Sequence, residues 1–305
     1  MPSPSVIVTI LNFNRASETV ECVKSLQACH FKSFAIVIVD NGSTDRSVEL
    51  LRSELKDVEI VSTGRNLGYT GGVNYSVTEA RKKNPTYILV INNDTVVEPD
   101  FLNYLVDAME SNKNAAAAGG TIYYHYDKTK VWYAGGRLIP WRGLAVHNHK
   151  NRLLDPSSLN GVEKVTFITG CLMLFRVSAL NDIGTEDERF FMYLDDIELS
   201  TRIVTKGFEM LYVPKAVIYH KIVHDELSPF KVYFTVRNRL LFINVSLSGA
   251  VKYFAIVYYL SVISVKLFIW RMANPPVFKA AFLGLKDYFA GKFYEGRGVA
   301  EFLRI

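Results

Sequence analysis

Blocks of apolar residues alternate with amphipathic stretches along the first third of the chain. Val6–Leu11 and Phe34–Val39 are β-branched runs, and Val58–Val61 and Tyr87–Ile91 are further apolar runs. Stretches of helical spacing separate or follow them, from about Ala16 to Ala28, Arg46 to Leu55, Gly68 to Lys82 and Pro99 to Met109. Uninterrupted apolar strands with helices between them predict an α/β domain built on a mostly parallel sheet. Residues 115–175 change texture. Ala115–Ile122, Val131–Ala134 and Val165–Phe175 read as strands, and Trp141–Lys150 as a loop. A helix is expected over Ile197–Thr205, followed by short strands at Met210–Val213 and Ala216–Tyr219.

Ligands of such sheets sit beyond the carboxyl ends of the strands. The polar clusters Asn12–Asn14, Asp40–Thr44 and Asn92–Thr95 all fall at those ends. Asp40 could accept hydrogen bonds from a nucleobase or ribose, or simply open an Asp-Asn-Gly turn before the next helix. Asn66-Leu67-Gly68-Tyr69-Thr70-Gly71-Gly72 is a glycine-rich approach to a helix N-terminus, a place that favours anions, yet it is neither a Walker loop nor a clean GxGxxG. Asn92-Asn93-Asp94 offers one carboxylate for a hard divalent cation, and His220 could add an imidazole or be an ordinary structural histidine. A mixed oxygen–nitrogen site leans towards Mn2+ over Mg2+. Asp195 and Asp196 follow the aromatic run Phe190–Leu194, where a raised carboxyl pKa suits a general base. Either acid could instead cap the helix that follows.

From Pro229 to Met272 the chain is helical in pattern and strongly apolar, and Asn274-Pro275-Pro276 ends it. Lys252 and Lys266 bracket the uncharged Tyr253–Val265, so a spanning helix is disfavoured. Lys252, Tyr259 and Lys266 fall within about 40° on a helical wheel, a polar stripe that predicts a helix lying in the plane of a membrane. Packing on the main domain is the plainer alternative.

Composition sharpens this division. The 305 residues are 49% hydrophobic and 21% charged, enough to bury a large core. Net charge is +5, but eleven bases against three acids from Pro229 onwards give that region +8 and leave −3 for residues 1–228. Bases flanking greasy aliphatic surface suit an anionic membrane; no nucleic-acid partner is expected, since phosphates need a basic groove. Cys22, Cys29 and Cys171 have no metal-like spacing and are expected to be reduced, and no secretory signal is visible at Met1–Ser5. The expected division is therefore a domain over 1–228 and an amphipathic helical region over 229–305.

Taken together, in order and spacing, these segments resemble glycosyltransferase family 2, and especially its rhamnosyltransferase-like branch. The resemblance rests on Leu11-Asn12-Phe13-Asn14, Val39-Asp40-Asn41-Gly42-Ser43-Thr44-Asp45, the glycine-rich turn and Asn92-Asn93-Asp94 at the DxD position. Phe167–Cys171, Glu188–Asp196, Tyr212-Val213-Pro214 leading to His220, and Arg237-Asn238-Arg239 extend it. It implies the GT-A fold, a C-terminal membrane-associating extension, and an inverting transfer from a dTDP- or UDP-sugar to a saccharide or lipid-linked acceptor. By the same resemblance Asp40 holds the nucleoside with Leu11 and Asn12 near the base. Asn66, Asn93 and Arg237 belong to the nucleotide site, Asp94 and His220 bind the divalent metal, and Asp196 is the catalytic base. Asn92 stands where the family has Asp, and Asp195 where it has Glu. The expected site of action is the cytoplasmic face of the cell membrane. A catalytically weak sugar-nucleotide-binding partner and a polyprenyl-phosphate sugar transferase are the rival readings. A processive synthase is disfavoured because no Gln-x-x-Arg-Trp element is present.

Overall fold

The computed structural model describes residues 5–154, 161–222 and 227–296. Most of Met1–Ser5 and the tail charges Arg297, Glu301 and Arg304 lie outside the described residues. The first half follows the predicted rhythm: β1 (Val6–Asn12), α1 (Ala16–Gln27), β2 (Phe34–Asp40), α2 (Ser47–Glu54), β3 (Glu59–Ser62), α3 (Gly68–Arg81) and β4 (Tyr87–Asn92). A three-residue β5 (Thr95–Val97) and α4 (Phe101–Ser111) come next. Strands β3, β2, β1 and β4 lie side by side and parallel, and their carboxyl ends set Asn12, Asp40 and Asn92 along one edge.

The second half completes the sheet with mixed polarity. β6 (Ala115–Tyr124) pairs with β7 (Asp127–Ala134), and β11 (Leu172–Arg176) runs antiparallel between β4 and β6. The expected loop over 141–150 is instead part of a hairpin of β8 (Gly136–Ile139) and β9 (Leu144–His147), closed by a 3-10 turn at Pro140–Arg142. β10 (Glu163–Val165) lies at the sheet edge, and α5 (Val177–Ile183) and α6 (Asp195–Thr205) cover it. The two short strands expected around Pro214 are one strand, β12 (Glu209–His220), whose register against β6 shifts between Val213 and Val217. That bulge accommodates the missing N–H of Pro214. Gly120 makes room for it, because a Cβ there would lie 1.9 Å from Ala216 O.

The C-terminal region is three helices, α7 (Pro229–Ser246), α8 (Gly249–Ala273) and α9 (Pro275–Phe289). Asn274 and the prolines that end α8 also start α9, since the Asn274 side chain accepts from Val277 N–H and Pro275 needs no donor at the first turn. Val232, Val236 and Leu240–Ile243 of α7 join the same apolar core as β1, β4 and β12. α8 lies along this body through Ala255, Tyr259 and Ile263. Of the expected polar stripe, Tyr259 faces inward with its ring under the Arg239 guanidinium at 4.4 Å, Lys252 bonds Asn244 O at 2.9 Å, and Lys266 is exposed. The outward face carries Phe254, Val257, Val265, Phe268 and Met272. Ser261 and Ser264 on the exposed side bond carbonyls one turn back, which leaves little unsatisfied polarity there.

Candidate active site

The polar strand ends open into a cleft with two halves. The larger, about 760 Å³, is lined by Leu11, Asn41, Asn66, Asn93 and Asp94 together with the start of α3. The smaller, about 480 Å³, is lined by Trp132, Lys150, Asp195, Asp196, His220 and Lys231. Tyr69, Asn92, Asp94, Met192, Tyr193 and Ile222 border both, so the two are continuous.

Asn12 and Asp40 are fully buried and do not line the cleft. Asp40 Oδ1 accepts from Asn12 Nδ2 at 2.9 Å and Ser43 Oγ at 2.5 Å, and its Oδ2 accepts from Ser43 N–H at 3.0 Å. Both oxygens of Asp40 are thus engaged by the end of β1 and by the turn that follows β2. Asn12 Oδ1 accepts from Thr19 Oγ1, which in turn accepts from Asn93 Nδ2. Asn41, read from the sequence only as part of a turn, ties the end of β2 to the glycine-rich turn through Gly68 O at 2.9 Å and Leu67 N–H at 3.1 Å.

Asp94 and His220 come from the β4–β5 turn and the end of β12, 126 residues apart in sequence. Asp94 Oδ1 lies 3.0 Å from His220 Nε2. Neither Asp94 Oδ1 nor His220 Nδ1 has a well-formed hydrogen bond. Burial favours a neutral histidine, but contacts with Cys171 and Asp94 oppose it and raise His220 to about 10. Burial also raises the Cys171 thiol, so at neutral pH the charge facing the imidazolium is that of Asp94. Asp94 answers in kind: burial would raise it, and His220 brings it below the ordinary carboxylate range. A divalent cation could take over this oxygen–nitrogen pair only by displacing the imidazolium proton. Among the described residues no group of three such ligands occurs, so a cation here would need further ligands from outside the protein.

Across the smaller half, Asp195 and Asp196 form the first turn of α6. Burial raises both carboxyls, Asp195 to about 8 and Asp196 to about 6. Asp196 is the lower because Oδ2 accepts from Gly170 N–H at 3.2 Å, with further bonds from Ile197 N–H and the Thr169 side chain. Burial and both aspartates also raise Glu186 well above the ordinary carboxylate range. Near neutrality this cluster therefore holds its negative charge on Asp196, in a pocket too apolar to solvate it well.

Arg237 stands elsewhere. It is fully buried, and its guanidinium is consumed by Asn238 Oδ1 and by the carbonyls of Arg189, Phe190 and Tyr294. It lines neither half of the cleft, which corrects its expected place in the nucleotide site. Trp132, which no sequence pattern singled out, does line it, as does Lys231 of the basic C-terminal region. Trp132 packs edge-on to His220 with centroids 4.9 Å apart.

A parallel half-sheet ending in a wide polar cleft, completed by antiparallel strands that carry the second half, defines the GT-A class of nucleotide-sugar transferases. Two solved structures share this fold. The mannosyltransferase PcManGT from Pyrobaculum calidifontis, solved with GDP-Man and Mn2+, superposes with TM-score 0.58 at 14% identity over 94% of this chain and 75% of its own. GalNAc-T7, solved with UDP, GalNAc and Mn2+, gives 0.61 at 15% identity over 90% and 58%. The model of Glycosyl transferase family 2 matches residues 5–184, more than half the sequence, and the chain belongs to that family. Among curated relatives, the N-acetylglucosaminyl-diphospho-decaprenol L-rhamnosyltransferase of Mycobacterium tuberculosis is 27% identical over 221 residues, 66% of this chain and 71% of that protein. The poly-beta-1,6-N-acetyl-D-glucosamine synthase of Staphylococcus epidermidis is 23% identical over 68% of this chain, which spans only 47% of the synthase.

Proposed function

We propose that this glycosyltransferase is an inverting, metal-dependent enzyme that moves a sugar, rhamnose before others, from a dTDP- or UDP-linked donor to a hydroxyl of a lipid-linked saccharide. The observation that carries the reading is the meeting of Asp94, His220 and Asp196 around one cleft half, with the wider half beside it. The donor nucleotide occupies the wider half against Leu11, Asn41, Asn66 and Asn93, and the α3 N-terminus faces its diphosphate. Asp94 and His220 hold the divalent cation, Mn2+ ahead of Mg2+, which when bound offsets charge on the diphosphate.

Asp196 takes the proton from the acceptor hydroxyl. The oxygen then attacks the anomeric carbon on the side opposite the diphosphate, the bond to the diphosphate breaks, and configuration inverts. A carboxylate poised near 6 suits this task, being ionised at neutral pH yet basic enough to accept a proton in the transition state. Trp132 offers a face for the acceptor sugar, and Lys150 and Lys231 offer positive charge towards an acceptor phosphate. The printed acceptor of the mycobacterial relative, a diphospho-decaprenol saccharide, supports that choice.

The outward face of α8 supports a membrane-bound acceptor. This helix is long and apolar enough to cross a bilayer. Because its other face is packed on the domain, the reading is a helix lying in the interface, with exposed Lys266, Arg271 and Lys279 towards anionic headgroups on the cytoplasmic side. The test of the whole reading is a panel of dTDP- and UDP-sugars with Mn2+, offered to a short-chain N-acetylglucosaminyl-diphosphoprenol and followed by product mass. Transfer of one deoxyhexose from dTDP-rhamnose is expected, and absence of transfer from every donor would refute it.

A further inference from the structure

Between the 3-10 turn Glu188–Phe190 and α6, the chain passes through Phe191, Tyr193 and Leu194 at φ values of 63°, 68° and 65°. Large side chains rarely take left-handed backbone, so three such residues within four positions need an outside hold. Leu194 is the last residue before Asp195 and Asp196, and whatever fixes its path also aims those carboxyls.

The hold comes from α7. Asn238 Nδ2 lies 2.8 Å from Phe190 O, 2.8 Å from Met192 O and 3.0 Å from Tyr193 O. The amide can face only this way. Arg237 Nε donates to Asn238 Oδ1 at 2.9 Å, and a guanidinium has no acceptor that would tolerate the flipped amide. Arg237 adds its own bonds to Phe190 O at 3.0 Å and Arg189 O at 3.3 Å, while Tyr294 O anchors its other nitrogen at 2.8 Å. Both side chains are completely buried. On its opposite side the same loop meets the donor half of the cleft. Phe191 O accepts from Thr70 N–H at 3.2 Å, and the Phe191 ring fills the space over Gly68, where a Cβ would lie 2.4 Å away.

We propose that Asn238, oriented by Arg237, is a positioning residue that holds Phe190–Leu194 in its left-handed path and so aims Asp196 into the cleft. The inference rests on Asp196 being the base. It makes α7 a support of the catalytic carboxylate although neither residue lines the cleft, and it gives Arg237 a role other than nucleotide binding.

The experiment compares Asn238→Ser, Arg237→Lys, Arg237→Met and Asp196→Asn in the full chain. Transfer from dTDP-rhamnose, or from whichever donor the panel selects, is normalised to the fraction of protein that binds the corresponding nucleoside diphosphate with Mn2+ in calorimetry. Asn238→Ser is expected to lower kcat by about 10- to 100-fold with donor KM within about twofold, the signature of a displaced group rather than a lost binding site. Arg237→Lys, which still donates to Phe190 O, is expected to recover a large part of the kcat lost in Arg237→Met. A residue that merely stabilised the fold would reduce the binding-competent fraction and leave normalised kcat alone. Unchanged normalised kcat in Asn238→Ser, or equal kcat in the two Arg237 variants, overturns the proposal; where Asn238→Ser gives no folded protein, the Arg237 pair decides. Full turnover in Asp196→Asn would instead remove the base on which the inference rests, whereas a dead Asp196→Asn beside a fully active Asn238→Ser sinks the positioning role alone.

Discussion

Asp196→Asn separates catalysis from stability in opposite directions. The carboxyl is raised from 3.8 to about 6, chiefly by burial. For an acid raised in the folded state, the unfolded chain ionises first as pH climbs. Stability therefore falls between pH ~4 and ~6, and at pH 8 the folded state carries the whole cost. A shift of about two units corresponds to roughly 3 kcal/mol, an upper bound because Asp195 titrates with it. The amide keeps an oxygen for Gly170 N–H and no longer buries charge, so the variant is expected to melt a few degrees higher at pH 8 and nearly level with the parent at pH 4. Transfer is expected to fall about 10²- to 10⁴-fold, the usual loss for a positioned base. Nucleotide affinity should hold, because Asp196 does not line the donor half. Paired melts at pH 4 and 8, calorimetry and single-turnover transfer make the assay. Near-parental turnover would remove Asp196 as base, and a lower melting temperature at pH 8 would show that its charge is not the buried burden argued here.

Three further outcomes follow from the same geometry. Asp94→Ala should abolish the Mn2+-dependent part of nucleotide binding in titration calorimetry, and unchanged binding would take Asp94 out of the metal site. The rate of transfer should rise with pH through about 6 and fall roughly tenfold per unit below it as Asp196 takes up a proton, so a flat profile from pH 5 to 7 would contradict the assignment. Replacing Phe254, Phe268 and Met272 together by Ser should weaken flotation with liposomes containing anionic lipid while leaving the melting temperature nearly unchanged, since all three are exposed; equal flotation would deny α8 a membrane role.

The parallel half of the sheet was legible because β1, β2 and β4 are largely buried on both faces and end in polar clusters, which is a local signal. Asp94, Asp196 and His220 could be proposed from chemistry and resemblance. Asn41 and Trp132 could not, because their neighbours come from distant segments. β12 was read as two strands because Pro214 interrupts the run, and only the partner strand reveals that Gly120 absorbs the bulge. The stripe Lys252–Tyr259–Lys266 does share one arc of α8, but which arc faces protein is decided by the partner helix. Here Tyr259 turns inward under Arg239 while Lys266 stays exposed. Arg237 misled for a related reason: a basic residue in a motif suggests a phosphate, and only tertiary structure shows that Asn238 Oδ1 and three backbone carbonyls hold its guanidinium.

The stereochemistry of the first product tests the central claim most directly. With dTDP-rhamnose and a short-chain N-acetylglucosaminyl-diphosphoprenol, or the donor selected by the panel, NMR of the new linkage should show the anomeric configuration opposite to that of the donor, and production should cease in Asp196→Asn. A product that keeps the donor configuration would contradict a single displacement driven by Asp196.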